Sequence, residues 1–113
     1  MEITIGRVVL FKLSAHDAEE INRRRTTPNS VADRIVLNQT GSAHWPLGAQ
    51  AHIGNHAEPG EEYPMIVTRV WQSDVVGVNG QVLLDGNDCL WVTSVQEGNS
   101  VHQWHWPMIQ TPA

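Results

Sequence analysis

The chain has 113 residues, 41% of them apolar and 17% charged, which is the composition of one globular domain and excludes a chain that is disordered as a whole. Its formal net charge of −5 excludes non-specific binding of long DNA or RNA, which needs clustered lysines and arginines. Cys89 is the single cysteine, so an intrachain disulfide and a multi-cysteine zinc site are excluded. Because there is no long apolar run and no signal-peptide layout, we expect a cytoplasmic protein that does not bind membranes.

The first part of the chain predicts a strand followed by a helix. Thr4–Phe11 mixes β-branched and apolar residues, as strands do. Ser14, with Asp17 three positions later, is close to a capping box, so we predict a helix over residues 14–25. Arg23–Arg25 then fall in its last turn, where positive charge complements the helix dipole.

The middle of the chain predicts little regular structure. Asn29 or Ser30 is a suitable cap for a second, shorter helix that ends before Gly41. The segment 39–64 is rich in glycine and proline, which predicts loops with at most a short strand near Ala51–Ile53.

The C-terminal half predicts short antiparallel strands separated by turns. Met65–Trp71 and Val75–Val78 have the residue types of strands. Asn79-Gly80 follows and is the strongest short-range hairpin signal in the chain, which makes Gln81–Leu84 the partner strand.

Two further turns continue this pattern. Asp85–Asp88 predicts a tight turn into the strand Leu90–Val95, and Glu97–Ser100 a turn into Val101–Trp106. Apolar residues fall on both faces of Leu90–Val95, so we expect helices to cover one face of the sheet and a partner subunit the other.

These elements predict one α+β domain that is mainly β. The C-terminal half is expected to form an antiparallel β-meander or a small barrel-like sheet, and one or two short helices precede it. Three segments divide the chain: a strand with helices over 1–38, loops over 39–64 and the sheet over 65–107.

Residue types common in catalysis have simpler explanations here. His102 and His105 would point to opposite faces of a strand, and a glycine weakens the helix that would bring His52 and His56 together. Cys89 has no base placed beside it by the sequence and is expected to be a small buried side chain. We therefore predict a binding protein with no catalytic residues, no metal and no cofactor.

Arginines and tryptophans are the candidates for ligand contact, and each has a structural alternative. Arg23–Arg25 are a solvated helix end or an anion-binding edge. Arg69 and Trp71 share one face of a strand, which suits phosphate contact beside a stacked base but also fits an ordinary exposed pair. Trp104 and Trp106 form an aromatic platform or a wall of the core.

Three stretches carry a resemblance to known proteins: Val78–Val95, Trp104–Pro107 and Asp17–Arg25. They resemble small cytoplasmic proteins of tailed bacteriophages and are similar to the anti-Thoeris sponge proteins, whereas residues 28–60 take no clear part. Those sponges sequester cyclic ADP-ribose isomers made by bacterial TIR enzymes, and some also trap cyclic trinucleotides. The resemblance implies a non-catalytic homo-oligomer, a dimer or a trimer of dimers, that holds a small cyclic nucleotide intact in the host cytoplasm.

The resemblance also implies where the ligand is held. Arg23 and Arg24 match the position of phosphate contact, and the strand end Trp91–Ser94 matches a pocket wall. With the candidates above, the predicted ligand-binding residues are Arg23, Arg24, Arg69, Trp71, Asp85, Asn87, Trp91, Thr93, Ser94 and Trp104. The alternative function is a phage structural or assembly protein whose tryptophans form subunit contacts.

Overall fold

The computed structural model describes residues 2–26, 54–71 and 77–108. These residues form five strands and one helix: β1 (Val8–Lys12), α1 (Ala15–Thr26), β2 (Glu62–Val70), β3 (Val78–Leu83), β4 (Cys89–Val95) and β5 (Trp104–His105). The strands make one antiparallel sheet in the order β4-β3-β2-β1-β5. The predicted α+β class, mainly β, is confirmed. The sheet is open, with β4 and β5 as its edges, so the barrel-like alternative is wrong.

The meander is shorter than predicted. Strands β2, β3 and β4 are consecutive neighbours, but the stretch predicted as Val101–Trp106 forms no further antiparallel strand beside β4. Trp104 makes only an isolated parallel bridge with Glu97, just beyond the end of β4. Its short strand pairs with β1 at the opposite edge, with Trp104 against Phe11. Both side chains are almost fully buried there, and burial of two large aromatic rings outweighs the local tendency to extend the meander.

The predicted hairpin turn at Asn79-Gly80 is also wrong. Both residues lie inside β3, which runs without interruption from Val78 to Leu83. A Cβ atom on Gly80 would lie 2.5 Å from the Met65 side chain, so glycine is needed here for close packing between strands and not for a turn. The chain reverses earlier, where the Trp71 N–H donates to the Gly77 carbonyl at 3.0 Å.

The predicted helix is confirmed to within one residue at each end. The Asp17 N–H donates to the Ser14 hydroxyl at 3.0 Å, and the Ser14 N–H donates to the Asp17 carboxylate at 2.9 Å, which is the capping box. With 12 residues, α1 is roughly 18 Å long, close to the width of roughly 19 Å of a five-stranded sheet. Asp17 contacts His102, just before β5, whereas Arg25 contacts Asp88, just before β4. Helix α1 thus lies along one end of the sheet.

The core lies against one face of the sheet. Ala18 and Ile21 of α1 belong to the same buried cluster as the inward side chains of the strands, namely Val9, Phe11, Met65, Val67, Val82, Leu90, Val92 and Trp104. The opposite face, here called the outer face, carries apolar side chains that are between 36% and 60% exposed: Val8, Ile66, Leu83 and Trp91. Its predicted cover by a partner subunit stays a prediction.

Three sequence predictions lie wholly or partly outside the described residues. These are the second helix from Asn29 or Ser30 toward Gly41, the short strand at Ala51–Ile53, and the first two residues of the strand Val75–Val78. Among the residues that are described, no helix is long and apolar enough to cross a membrane.

Candidate functional site

Two irregularities of the sheet meet at Asn79. On one side, the register with β2 shifts so that Thr68 is an extra residue between Val67 and Arg69. On the other side, Asn79 stands opposite two residues of β4, Thr93 and Ser94. Ser94 has a φ of 53°, a left-handed conformation that is uncommon for a residue with a side chain. Such bulges re-aim side chains and are frequent beside functional sites.

The Asn79 side chain ties these strands together. Asn79 is 8% exposed, and its Oδ1 accepts one hydrogen bond from the Trp71 indole Nε1 and another from the Ser94 backbone N–H, both at 2.9 Å. Both partners are obligatory donors, so the accepting atom must be the amide oxygen. The Asn79 Nδ2 group has no acceptor among the described residues and is oriented by these two bonds.

Arg69 and Trp71 share one face, as the spacing of two residues along one strand predicted, and Arg69 stacks on the Trp71 ring. The guanidinium carbon lies 4.5 Å from the centre of the Trp71 ring, which is cation–π geometry. Arg69 is exposed and forms no ion pair with any residue that the structure describes. A guanidinium held on a ring, without a carboxylate partner, is placed to contact an anion.

Trp91 adds a second exposed ring on the same face. It is 60% exposed and stands opposite Gln81, two positions along β3 from Asn79. Thr93, the next outward residue of β4, is exposed as well. We call the six residues together the Asn79 cluster: Arg69, Trp71, Asn79, Trp91, Thr93 and Ser94.

Arg23 and Arg24 lie elsewhere, at the end of α1. Arg23 is exposed and makes two-pronged contacts with Glu20, the shortest at 2.7 Å. These hydrogen bonds raise the pKa of Arg23 and lower the pKa of Glu20. Arg24 donates to the Cys89 carbonyl at 2.7 Å, at the start of β4. The structure therefore does not bring these two arginines together with Arg69.

The predicted turn Asp85–Asp88 is confirmed, and its main partner is an arginine absent from the predicted site. Arg25 is 4% exposed and makes two hydrogen bonds of 2.9 Å to the carboxylate of Asp88. The Arg25 guanidinium also donates a hydrogen bond to the Asn55 carbonyl oxygen, and the Asn55 side-chain amide donates one to the Asp85 carboxylate. These contacts fasten the turn to α1, which gives Asp85 a structural explanation. Asn87 is exposed at the tip of this turn.

Trp104, a predicted ligand-binding residue, lies in the core. It is 3% exposed and meets Trp106 edge-to-face at 5.6 Å between ring centres. Its Nε1 has no hydrogen-bond partner among the described residues. Of the two sequence interpretations, a core wall therefore describes Trp104 in this conformation, and it shows no open face to a ligand.

A groove of about 500 Å³ lies beside the C-terminal end of α1. Its lining includes Arg23, Arg25 and His56. Asn22 also lines it and pairs with both backbone groups of Ala57, donating to the carbonyl at 2.9 Å and accepting from the N–H at 3.0 Å. The groove contains one predicted ligand-binding residue, Arg23, whose charge is already matched by Glu20.

Histidine and cysteine do not assemble a reactive centre in the described part of the chain. No group of three or more His, Cys, Asp or Glu side chains is gathered there to hold a metal. Cys89 is exposed, with Sγ 3.2 Å from the Gln81 side-chain oxygen, so the expected burial of this residue is wrong. It is the first residue of β4, which lies at the edge of the sheet, and its side chain is exposed.

Comparison of the chain with models of protein families, with curated proteins and with solved structures finds no match. The arrangement of its own residues is therefore the basis for assigning a site. Of the ten predicted ligand-binding residues, the structure brings Arg69, Trp71, Trp91, Thr93 and Ser94 to one face and one end of the sheet. Asn79, which links them, was not predicted because the Asn-Gly pair was interpreted as a turn.

Proposed function

We propose that this chain binds a small nucleotide at the Asn79 cluster and holds it without cleaving it. The observation that carries the proposal is the Arg69 guanidinium 4.5 Å from the Trp71 ring, without a carboxylate partner among the described residues. A cation on an aromatic ring, beside a second exposed ring at Trp91, offers both a phosphate contact and a surface for a base.

The interaction free energies expected at the Asn79 cluster suit a small ligand. Stacking on an aromatic side chain contributes on the order of 1–3 kcal/mol per base, and Trp91 has most of its ring open to solvent. A guanidinium adds a charge-assisted, two-pronged contact to one phosphate. Because the net charge of the chain is −5, its positive potential is local, which favours a ligand with few phosphates over a long nucleic acid.

The chemistry of the cluster favours binding over turnover. Its side chains are those of Arg, Trp, Asn, Thr and Ser, and none is a carboxylate, imidazole or thiol. Hydrolysis or transfer needs a positioned general base or an activated nucleophile, which these groups do not supply by themselves. A ligand bound here is expected to leave unchanged.

The ligand class follows from the resemblance to anti-Thoeris sponges. It makes a cyclic ADP-ribose isomer or a cyclic oligonucleotide the expected ligand, and sequestration of a bacterial immune signal in the cytoplasm of a phage-infected host the expected role. A homo-oligomer, a dimer or a trimer of dimers, belongs to the same proposal.

The test mixes purified protein with a panel of cyclic ADP-ribose isomers and cyclic di- and trinucleotides, removes unbound ligand, and denatures the complex by heat. We expect one panel member to be retained and then recovered with its mass unchanged. Absence of binding across the panel, or recovery of a cleaved product, would contradict the proposal.

A second candidate function is a structural or assembly protein of the virion. The observation that favours it is the apolar outer face, where Val8, Ile66, Leu83 and Trp91 are exposed together, as in surfaces that become subunit contacts. Mass spectrometry of purified phage particles separates the two candidates. A virion protein is present at stoichiometric amounts, whereas a sponge is absent from particles and abundant early in infection.

A further inference from the structure

We infer that Asn79 is the residue that selects the ligand, and that it does so only as a hydrogen-bond donor, to an acceptor atom on the ring of the bound base. The inference rests on the proposed nucleotide binding and names the contact that would set its specificity.

The Asn79 carboxamide can still donate hydrogen bonds but can no longer accept them. A carbonyl oxygen has two lone pairs, and both are used, by Trp71 Nε1 and by the Ser94 backbone N–H. Oδ1 therefore has no capacity left for a ligand. The Nδ2 group holds two N–H donors and bonds to no acceptor among the described residues, so donation is the only interaction that Asn79 offers outward.

The orientation of the Asn79 amide is fixed by its surroundings. A surface asparagine rotates and presents its oxygen or its nitrogen as a ligand requires. Asn79 is 92% buried, by its 8% exposure, and its amide plane is fixed by two hydrogen bonds from different strands. The donor is thus set in place before a ligand arrives, which reduces the entropy lost on binding and penalises a ligand without a matching acceptor.

The position of Asn79 in the sheet places its donor close to the exposed rings. Asn79 stands between the two exposed rings, since Trp71 bonds to it directly and Trp91 lies opposite Gln81, two residues along β3. Two residues of a strand span roughly 7 Å, so the edge of a base stacked on Trp91 comes within reach of the Asn79 donor. The complementary atom is a ring nitrogen or a ring carbonyl oxygen. An exocyclic amino group, itself a donor, does not fit.

The closing experiment pairs one protein variant with ligands that lack single acceptors. Asn79→Asp keeps a side-chain oxygen for Trp71 and Ser94 but replaces the outward N–H₂ with a second oxygen. The probes are cyclic ADP-ribose and cyclic di-AMP, each as the parent compound and as its 7-deaza and 3-deaza analogues. The 1-deaza analogue of cyclic di-AMP is added, because N1 of that compound is a free acceptor, and affinities are measured by calorimetry.

For a parent compound that binds, we expect one deaza analogue to bind wild-type protein roughly tenfold more weakly, the effect of one lost hydrogen bond. Asn79→Asp should weaken the parent by at least as much and remove the difference between parent and analogue. A Trp71 indole N–H that stays protected from exchange with solvent verifies that its hydrogen bond to position 79 is kept in the variant. If the variant does not fold, the analogue series on wild-type protein decides alone.

The outcomes separate the two proposals. Equal binding of the parent and all its deaza analogues by wild-type protein overturns the role of Asn79 and leaves nucleotide binding standing. Full parent affinity in the folded Asn79→Asp variant does the same. Failure of the wild-type protein to bind any nucleotide of the panel overturns both.

Discussion

The Trp71 indole donates a hydrogen bond of 2.9 Å to the side-chain oxygen of Asn79, at the point where two bulges of the sheet meet. This bond joins the end of β2 to β3, and the same oxygen also accepts the Ser94 N–H from β4. One asparagine therefore fixes three strands and an aromatic ring, which makes its contribution to stability measurable apart from any ligand.

Asn79→Ala should lower the free energy of unfolding by about 1–3 kcal/mol, because the substitution leaves the Trp71 and Ser94 donors without their acceptor. Urea denaturation measures the change. Gln81→Ala is the matched control on the same face of β3, since its amide contacts only the Cys89 thiol among described residues, and we expect a change within about 0.5 kcal/mol. Equal losses for the two variants would show that Asn79 does not have this role.

Arg25→Met should be the most destabilising substitution among the three consecutive arginines. It leaves the Asp88 carboxylate largely buried without its partner, which costs about 3–5 kcal/mol. Arg23→Met is the control, because the Arg23 contact with Glu20 is solvent-exposed and we expect little change in the unfolding midpoint. Similar midpoints for the two variants would contradict the assignment of Arg25 as the buried clamp.

His102 should tolerate glycine better than alanine. Its φ is 59°, a left-handed conformation that costs a residue with a Cβ about 1–2 kcal/mol. Both substitutions remove the contacts of the imidazole with Asp17 and Phe11, so their difference isolates the backbone. Thermal unfolding should rank His102→Gly above His102→Ala, the reverse of the usual order. The usual order would mean that this conformation is not retained in solution.

Tyr63, the only tyrosine, should titrate above the usual value of about 10. Burial raises the pKa of its phenol, and its hydrogen bond to the Glu61 carboxylate raises it further. Because the folded protein holds the proton more tightly, this stabilisation is intact below the unfolded pKa. It is lost as the pH rises through the folded pKa.

The ultraviolet absorbance of the phenolate follows the Tyr63 titration directly. In Glu61→Gln the midpoint should fall but stay raised, because burial is the larger cause. A midpoint in wild-type protein at or below the usual value would contradict both causes.

Local signals predicted the helix well. The capping pair Ser14 and Asp17 and the basic last turn act within a few residues of each other, so the predicted range 14–25 differs from Ala15–Thr26 by one residue at each end. The pairing of Trp104 with Phe11 joins residues from opposite ends of the chain, and no local pattern encodes it. The position of β5 at the edge of the sheet therefore could not be predicted from local sequence patterns.

Part of the candidate site could likewise be predicted from local sequence patterns, and part of it could not. The shared face of Arg69 and Trp71 follows from the two-residue period of a strand and was predicted, whereas the stacking of one side chain on the other was not. The role of Asn79 depends on bulges in two neighbouring strands and on the Met65 side chain, which requires glycine at position 80. Tertiary packing outweighed the strong turn signal of Asn79-Gly80, which is why the turn prediction was wrong. The same packing orients the Asn79 donor.

The affinity of two charge-matched variants for a retained cyclic nucleotide tests the central claim most directly. Arg69→Met removes the cation that stacks on Trp71, whereas Arg7→Met removes an exposed arginine that precedes β1 and lies outside the Asn79 cluster. Measured by calorimetry at fixed salt, Arg69→Met should bind the nucleotide about tenfold to a hundredfold more weakly, as expected for a lost charge-assisted contact, and Arg7→Met should match wild type. Equal affinities for wild type and both variants would contradict binding at the Asn79 cluster.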